Sequence, residues 1–205
     1  MIAVIDYGVG NLFSLRSSLD AIGAESVVTS DPDIIKKADK IILPGVGAFG
    51  DAVMKLRETG LDAVIKEEVA SGKPIFGICL GMQLLFEKSY EYGEHEGLAL
   101  LRGSVVPMDG RISAGLKIPH IGWNALKLER EHPLLKYTAE GYHVYFVHSY
   151  FAIDCDDSLI ASSEYGARVT AMVAKGNVAG AQFHPEKSGE VGLNLLRAFC
   201  EWEGK

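Results

Sequence analysis

Gly77-Ile78-Cys79-Leu80-Gly81 and His184-Pro185-Glu186 together hold the residue types that nucleophilic attack on an acyl carbon requires. A cysteine with a glycine two places to either side is the thiol form of a nucleophile elbow, where small neighbours permit a sharp strand-to-helix turn that lifts the side chain above the strand end. At such a turn the free amides and dipole of a helix N-terminus favour thiolate, the attacking form. Most free cysteines are instead inert small hydrophobes, so the elbow needs partners. His184 offers a base, and Glu186 an acid to orient it. In extended chain, residues two apart point the same way, so the carboxylate could bond one ring nitrogen and fix the tautomer, with Pro185 stiffening the pair. Cys79, His184 and Glu186 would then be nucleophile, base and orienter. His120 and His148, in Pro119-His120-Ile121-Gly122-Trp123-Asn124 and Tyr145-Phe146-Val147-His148-Ser149-Tyr150, read more simply as structural histidines.

These groups need strands to carry them. Residues 2–5, 25–28 and 40–43 are short apolar strands, and residues 74–78 form a buried one leading to Cys79. Helices are expected between them. One follows Asn11 as N-cap with Leu12, Leu15 and Leu19 on its apolar stripe. Another starts at Asp31-Pro32, and two more cover residues 51–57 and 61–69. A helix is also expected over residues 80–88. Gly8-x-Gly10 lacks the third glycine of a dinucleotide fingerprint, so a tight turn explains it better. Gly45, Gly47 and Gly50 are more than a connection needs and suit backbone brought close to a ligand, making this loop a candidate oxyanion strand.

Strand and helix alternate to residue 91, the pattern of a parallel sheet covered on both faces, whose ligands gather at the carboxyl ends of the strands. Asp6, the Gly45 loop and Cys79 should share that edge. Residues 93–97 read as a polar loop. A β-rich section then runs from about residue 103 to 181, with strands at 105–106, 142–147, 159–161, 171–174 and 178–183, and a final helix covers residues 189–202 with stripe Val191, Leu195, Ala198 and Phe199.

Composition sets the outer bounds. The 205 residues are 48% hydrophobic, enough for one α/β domain over residues 1–205. A formal charge of -7 without a basic cluster argues against nucleic acid as a partner. Three cysteines without ligand spacing indicate neither a disulfide framework nor a metal site. The first residues do not form a signal peptide and no apolar run is of membrane-spanning length, so a reduced, cytoplasmic protein is expected.

The elbow, the His-x-Glu pair and the overall layout resemble the class I (triad) glutamine amidotransferase family over essentially the whole chain. The resemblance implies a three-layer α/β fold, with a mixed, mostly parallel central sheet flanked by helices, a flavodoxin-like core and the added β-rich section. It implies a Cys79 thioester with glutamine, an oxyanion held by backbone amides of Val46, Gly47 and Leu80, and no cofactor. Gly47, Gln83, Glu91, Ser149 and Tyr150 would position glutamine. The stretches beginning at Asp6 and Tyr145 narrow the likeness to a branch whose glutaminase serves a separate (β/α)8 barrel cyclase, which Trp123, Tyr145 and Lys187 would meet as an interface anchor. Three other readings stand beside it: a glutaminase of another pathway, a thiol esterase of α/β-hydrolase type, and an interaction subunit with a dead site. The second is disfavoured because the hydrolase order places the acid before the histidine.

Overall fold

The computed structural model describes residues 1–204. In chain order the elements are β1 (Ile2–Ile5), α1 (Leu12–Ala21), β2 (Ser26–Thr29), α2 (Pro32–Lys37), β3 (Lys40–Leu43), α3 (Phe49–Glu58), α4 (Leu61–Ala70), β4 (Ile75–Ile78) and α5 (Leu80–Leu84). There follow β5 (Phe86–Ser89), β6 (His95–Glu96), β7 (Leu101–Pro107), β8 (His120–Ala125), β9 (Lys127–Leu128), β10 (His143–His148) and β11 (Tyr150–Ile153). The chain closes with β12 (Leu159–Glu164), β13 (Arg168–Lys175), β14 (Val178–Ala181) and α6 (Gly189–Glu201).

The central sheet has eight strands in the order β2-β1-β3-β4-β14-β13-β12-β9. From β2 to β14 every pairing is parallel, and the last three strands are antiparallel. This is the mixed, mostly parallel α/β sheet that the alternating pattern predicts. Successive strand residues bury on opposite faces, as a two-residue period requires. Ala3, Ile5, Ile41, Leu43 and Ile75 pack with α2, α3 and α4. Ile2, Val4, Ile42, Phe76 and Ile78 pack with α1 and α6. Two smaller sheets flank the carboxyl edge: an antiparallel β8–β10 ribbon, and a four-stranded sheet in the order β11-β7-β5-β6. Ser149 is the single residue between β10 and β11, where the chain leaves one sheet for the other.

Local chemistry explains most element boundaries. Asp31 caps α2, accepting from the Asp33 amide at 2.9 Å, with Pro32 in the first turn. Asn11 stands at the N-cap of α1 but its side chain makes no capping bond, contrary to expectation. The helix after the elbow is also shorter than the 80–88 its sequence favours. Leu85 O accepts from the amides of Leu100 and Leu101, and Phe86 pairs with Leu101 on β7, so the chain returns to an extended form after one turn. Tertiary pairing overrides helix propensity there. The polar loop at 93–97 includes β6, paired with β5 through Lys88–Glu96 and Ser89–His95. Strands β8, β9 and β11 also lie outside the expected set. Residues of β8 are half polar and those of β9 too few to show a period, while β11, apolar and four residues long, follows β10 after a single residue and is not separable from it by period.

Lys40 ties the sheet to the last helix. Its ammonium donates to the carbonyls of Phe199 at 3.0 Å, Cys200 at 2.6 Å and Trp202, the acceptors left open where α6 ends. Replacing Lys40 with methionine keeps the stem and strands three carbonyls, so a loss of about 1–3 kcal/mol is expected in urea unfolding.

Candidate active site

The elbow is built by steric exclusion. Cys79 has φ 54 and ψ -110, a left-handed conformation that only an over-determined site maintains. Its amide donates to Ala181 O at 2.7 Å, continuing the β4–β14 pairing to the last residue before the turn. A Cβ on Gly77 would stand 2.6 Å from Gly81 O and Met82 N; one on Gly81 would stand 1.8 Å from Leu43 O. The two glycines thus let α5 start directly against the strand ends.

His184 and Glu186 follow the carboxyl end of β14. The side chains meet through Nδ1 and Oε1 at 2.8 Å, both almost fully buried. The chain is not extended here. Pro185–Lys187 is a 3₁₀ turn, and this turn, rather than strand alternation, brings the carboxylate back to the ring. The turn is clamped to β10: His184 N donates to Tyr145 O at 3.0 Å, Tyr145 N donates to Ser188 Oγ at 3.0 Å, and that hydroxyl donates to His184 O at 2.7 Å. Since a carboxylate accepts, Nδ1 carries the proton and Nε2 is left for the thiol. Burial alone would push His184 down, but hydrogen bonds and charge from Cys79 and Glu186 outweigh it and hold the imidazolium up to about 9.

A pH dependence follows. With a folded value of about 9 against an ordinary histidine near 6.5, the group's stabilisation is fully present below pH 6.5 and is lost as pH rises through about 9. The melting temperature of the native chain should therefore fall toward that of His184→Gln over this window. A gap between them that stayed constant would contradict it.

One cavity of about 460 Å³ collects the expected groups: Val46, Gly47, Cys79, Leu80, Gln83, Glu91, Ser149, Tyr150, His184 and Lys187 all line it. Cys79 is 7% exposed, and that opening faces the cavity. Glu91 has a second task. One carboxylate oxygen accepts from the Phe49 amide at 2.6 Å, capping α3, while burial pushes its acidity down. Asp6, at the same sheet edge, accepts from Gly8 N at 3.0 Å and closes the glycine turn.

The interface candidates also gather. Trp123 is 53% exposed and sits opposite Tyr145 across the β8–β10 ribbon, their rings 6.1 Å apart edge to face. Lys187 Nζ lies 5.8 Å from the Tyr145 ring. A core role for Trp123 is excluded by that exposure.

Sequence reasoning missed two residues. Tyr7 is buried, and its hydroxyl donates to Pro44 O at 2.8 Å, pinning the entry to the glycine loop. Burial, then the nearby Cys79, raises this phenol far above the ordinary range, so it remains a donor. Gln182 is fully buried and its Nε2 lies 3.7 Å from Cys79 Sγ. Nothing local in the sequence marks it, since residues 182 and 183 are bends beyond the end of β14.

A doubly covered α/β sheet carries a cysteine elbow and a histidine on one cavity, with a glutamate bonded to that histidine, groups of the kind thiol-dependent acyl transfer uses. The profile of the family described as "Glutamine amidotransferase class-I" matches residues 3–201. The imidazole glycerol phosphate synthase subunit HisH of Oceanobacillus iheyensis is 52% identical over 202 residues, covering 98% of both chains. That of Bacillus licheniformis is 54% identical over 205 residues, covering 98% of this chain and 96% of its own. Among solved structures, one titled "Crystal structure of glutamine amidotransferase" superposes with a TM-score of 0.78 at 20% identity over all of both chains. "Structure of PurLQS from Thermotoga maritima" follows at 0.75 and 23%, covering 98% and 97%. The chain belongs to the class I glutamine amidotransferase family, and is an enzyme of that kind. Among the described residues no helix is long and apolar enough to cross a membrane.

Proposed function

We propose that this chain is the glutamine-hydrolysing subunit of an imidazole glycerol phosphate synthase of histidine biosynthesis, acting in the cytoplasm as a single domain with a (β/α)8 barrel cyclase as partner. The observation that carries the chemistry is the opening of the Cys79 elbow onto the cavity that His184 also lines, with Glu186 bonded to that histidine. Identity of about half over nearly the whole length to chains bearing that name supports the choice of pathway.

In this reading His184, an imidazolium up to about pH 9, already holds the proton given up by Cys79, and the thiolate attacks the side-chain amide carbon of glutamine. Backbone amides of Val46, Gly47 and Leu80 hold the oxyanion, where loss of one donor costs about a hundredfold or more in rate. His184 then protonates the leaving ammonia, and next takes a proton from the water that hydrolyses the γ-glutamyl thioester. Glu186 keeps Nδ1 protonated throughout and balances the imidazolium. Gly47, Gln83, Glu91, Ser149 and Tyr150 position the substrate. The partner joins the ammonia to a ribulosyl aminoimidazole ribonucleotide, releasing imidazole glycerol phosphate and an aminoimidazole carboxamide ribonucleotide. Trp123, Tyr145 and Lys187 anchor that partner: two aromatics and a cation beside the cavity mouth have the composition of an interface hot spot.

The deciding experiment mixes the chain with a barrel cyclase and supplies glutamine. Glutamine-dependent formation of imidazole glycerol phosphate is expected. Product formed only with added ammonium salts would overturn the proposal.

A further inference from the structure

The hydrogen bonds buried around the sulfur have one consistent assignment, fixed by a single backbone carbonyl, and the sulfur itself lies 3.9 Å from the Val147 carbonyl, to which the thiol can donate. Tyr150 O can only accept. Gln83 Nε2 lies 3.1 Å from it, so the amide nitrogen of Gln83, not its oxygen, points there. That nitrogen has a second hydrogen, which reaches Gln182 Oε1 at 2.9 Å. The amide of Gln182 is thereby oriented as well, and its Nε2 presents an N–H to Cys79 Sγ at 3.7 Å. The other lone pair of Tyr150 O is occupied by His148 Nδ1 at 2.8 Å. Burial pushes His148 down to about 3, so its ring is neutral, and its Nε2 accepts from His120 Nδ1 at 3.2 Å. Gln182, Gln83, His148 and His120 are all buried. The sulfur therefore sees a donor from Gln182, because the oxygen end of that amide is tied to Gln83.

We infer that Gln182 is a further catalytic residue, donating a hydrogen bond to the Cys79 sulfur with its amide oriented from the Tyr150 carbonyl through Gln83. This rests on the reading of Cys79 as the nucleophile. With the thiol proton held on the His184 imidazolium, the electron pair stays on sulfur, and the Gln182 N–H meets that charge in a site shielded from water. The same N–H serves when the thioester C–S bond breaks and the pair returns to sulfur. Gln83 lies four residues after Cys79, one helical turn on, and so stacks over it. Gln182 arrives from the end of β14. Two elements are thus needed to point one proton, which is why the arrangement is invisible along the chain.

The test is the alkylation rate of Cys79 by iodoacetamide in the full-length chain, with the background from Cys155 and Cys200 measured in Cys79→Ala. Gln182→Met removes the donor and the acceptor; Gln182→Glu keeps an acceptor for Gln83 and replaces the donor with a carboxylate, whose charge also opposes thiolate. Both should slow alkylation near neutral pH by about tenfold, the scale of a hydrogen bond to a charged group. Both should also move the rise of rate to higher pH. Wild-type alkylation in Gln182→Met, or in a folded Gln182→Glu, would overturn the inference, the latter leaving Gln182 only the task of bonding Gln83. Should melting show that Gln182→Glu does not fold, Gln83→Met decides: it leaves Gln182 in place with its amide free to turn. Slower alkylation is expected there, and an unchanged rate overturns the inference. Alkylation needs no glutamine, so this outcome is separate from that of the glutaminase reading, which ammonia release tests.

Discussion

Glutamine hydrolysis is expected to fall by at least about 10⁴-fold when Cys79 is replaced with alanine, because removing the nucleophile of a triad leaves only binding and oxyanion stabilisation. The fold should survive. Alanine carries the same penalty as cysteine at φ 54, and removing one sulfur from a side chain that packs on the core and opens onto the cavity leaves little to collapse. The variant should therefore still assemble with its partner and support synthesis from added ammonium salts, while glutamine no longer does. Measuring both nitrogen sources in one preparation separates loss of chemistry from loss of assembly. Retention of more than a few per cent of glutamine-dependent activity would mean that another group attacks the amide.

The largest structural effect is expected at Gly81. A Cβ there would stand 1.8 Å from Leu43 O, 2.8 Å from Leu43 C and 3.2 Å from Pro44 C, all backbone atoms. Leu43 cannot retreat, since β3 is held between β1 and β4 in the parallel sheet. The alternative is to move α5, which would drag Cys79 and Gln83 off the site. Gly81→Ala should cost more than about 4 kcal/mol, a large share of the 5–15 kcal/mol that holds a domain together. Gly23 supplies the control. Its φ is +73 but a Cβ would meet nothing within 4 Å, so Gly23→Ala should cost only the left-handed strain of about 1–2 kcal/mol. Urea unfolding of the two variants should separate them clearly; equal midpoints would refute the steric account of the elbow.

What could be read along the chain was whatever depends on neighbours in sequence. The alternation of apolar runs and amphipathic stripes predicts the parallel half of the sheet. Asp31-Pro32 marks the start of α2, and Gly77-x-Cys79-x-Gly81 marks the turn, because each is settled by the backbone within a few residues. The His184–Glu186 pairing was legible for the same reason, although its geometry was misjudged. A proline-led 3₁₀ turn delivers the contact that extended chain was expected to make.

Everything decided across distance needed the tertiary structure. Residues 86–88 have the composition of a helix, yet β7 captures them as a strand. Asn11 has the chemistry of a cap, yet its side chain is not used as one. Gln182 gives no local sign of its place. An amide gains direction only from its bonding partners, and those come from α5 and from the carbonyl at the β10–β11 corner. Sequence determined which groups could react and the turns that present them. The fold alone decided which way the buried donors face, since that is set by contacts between segments that never meet along the chain.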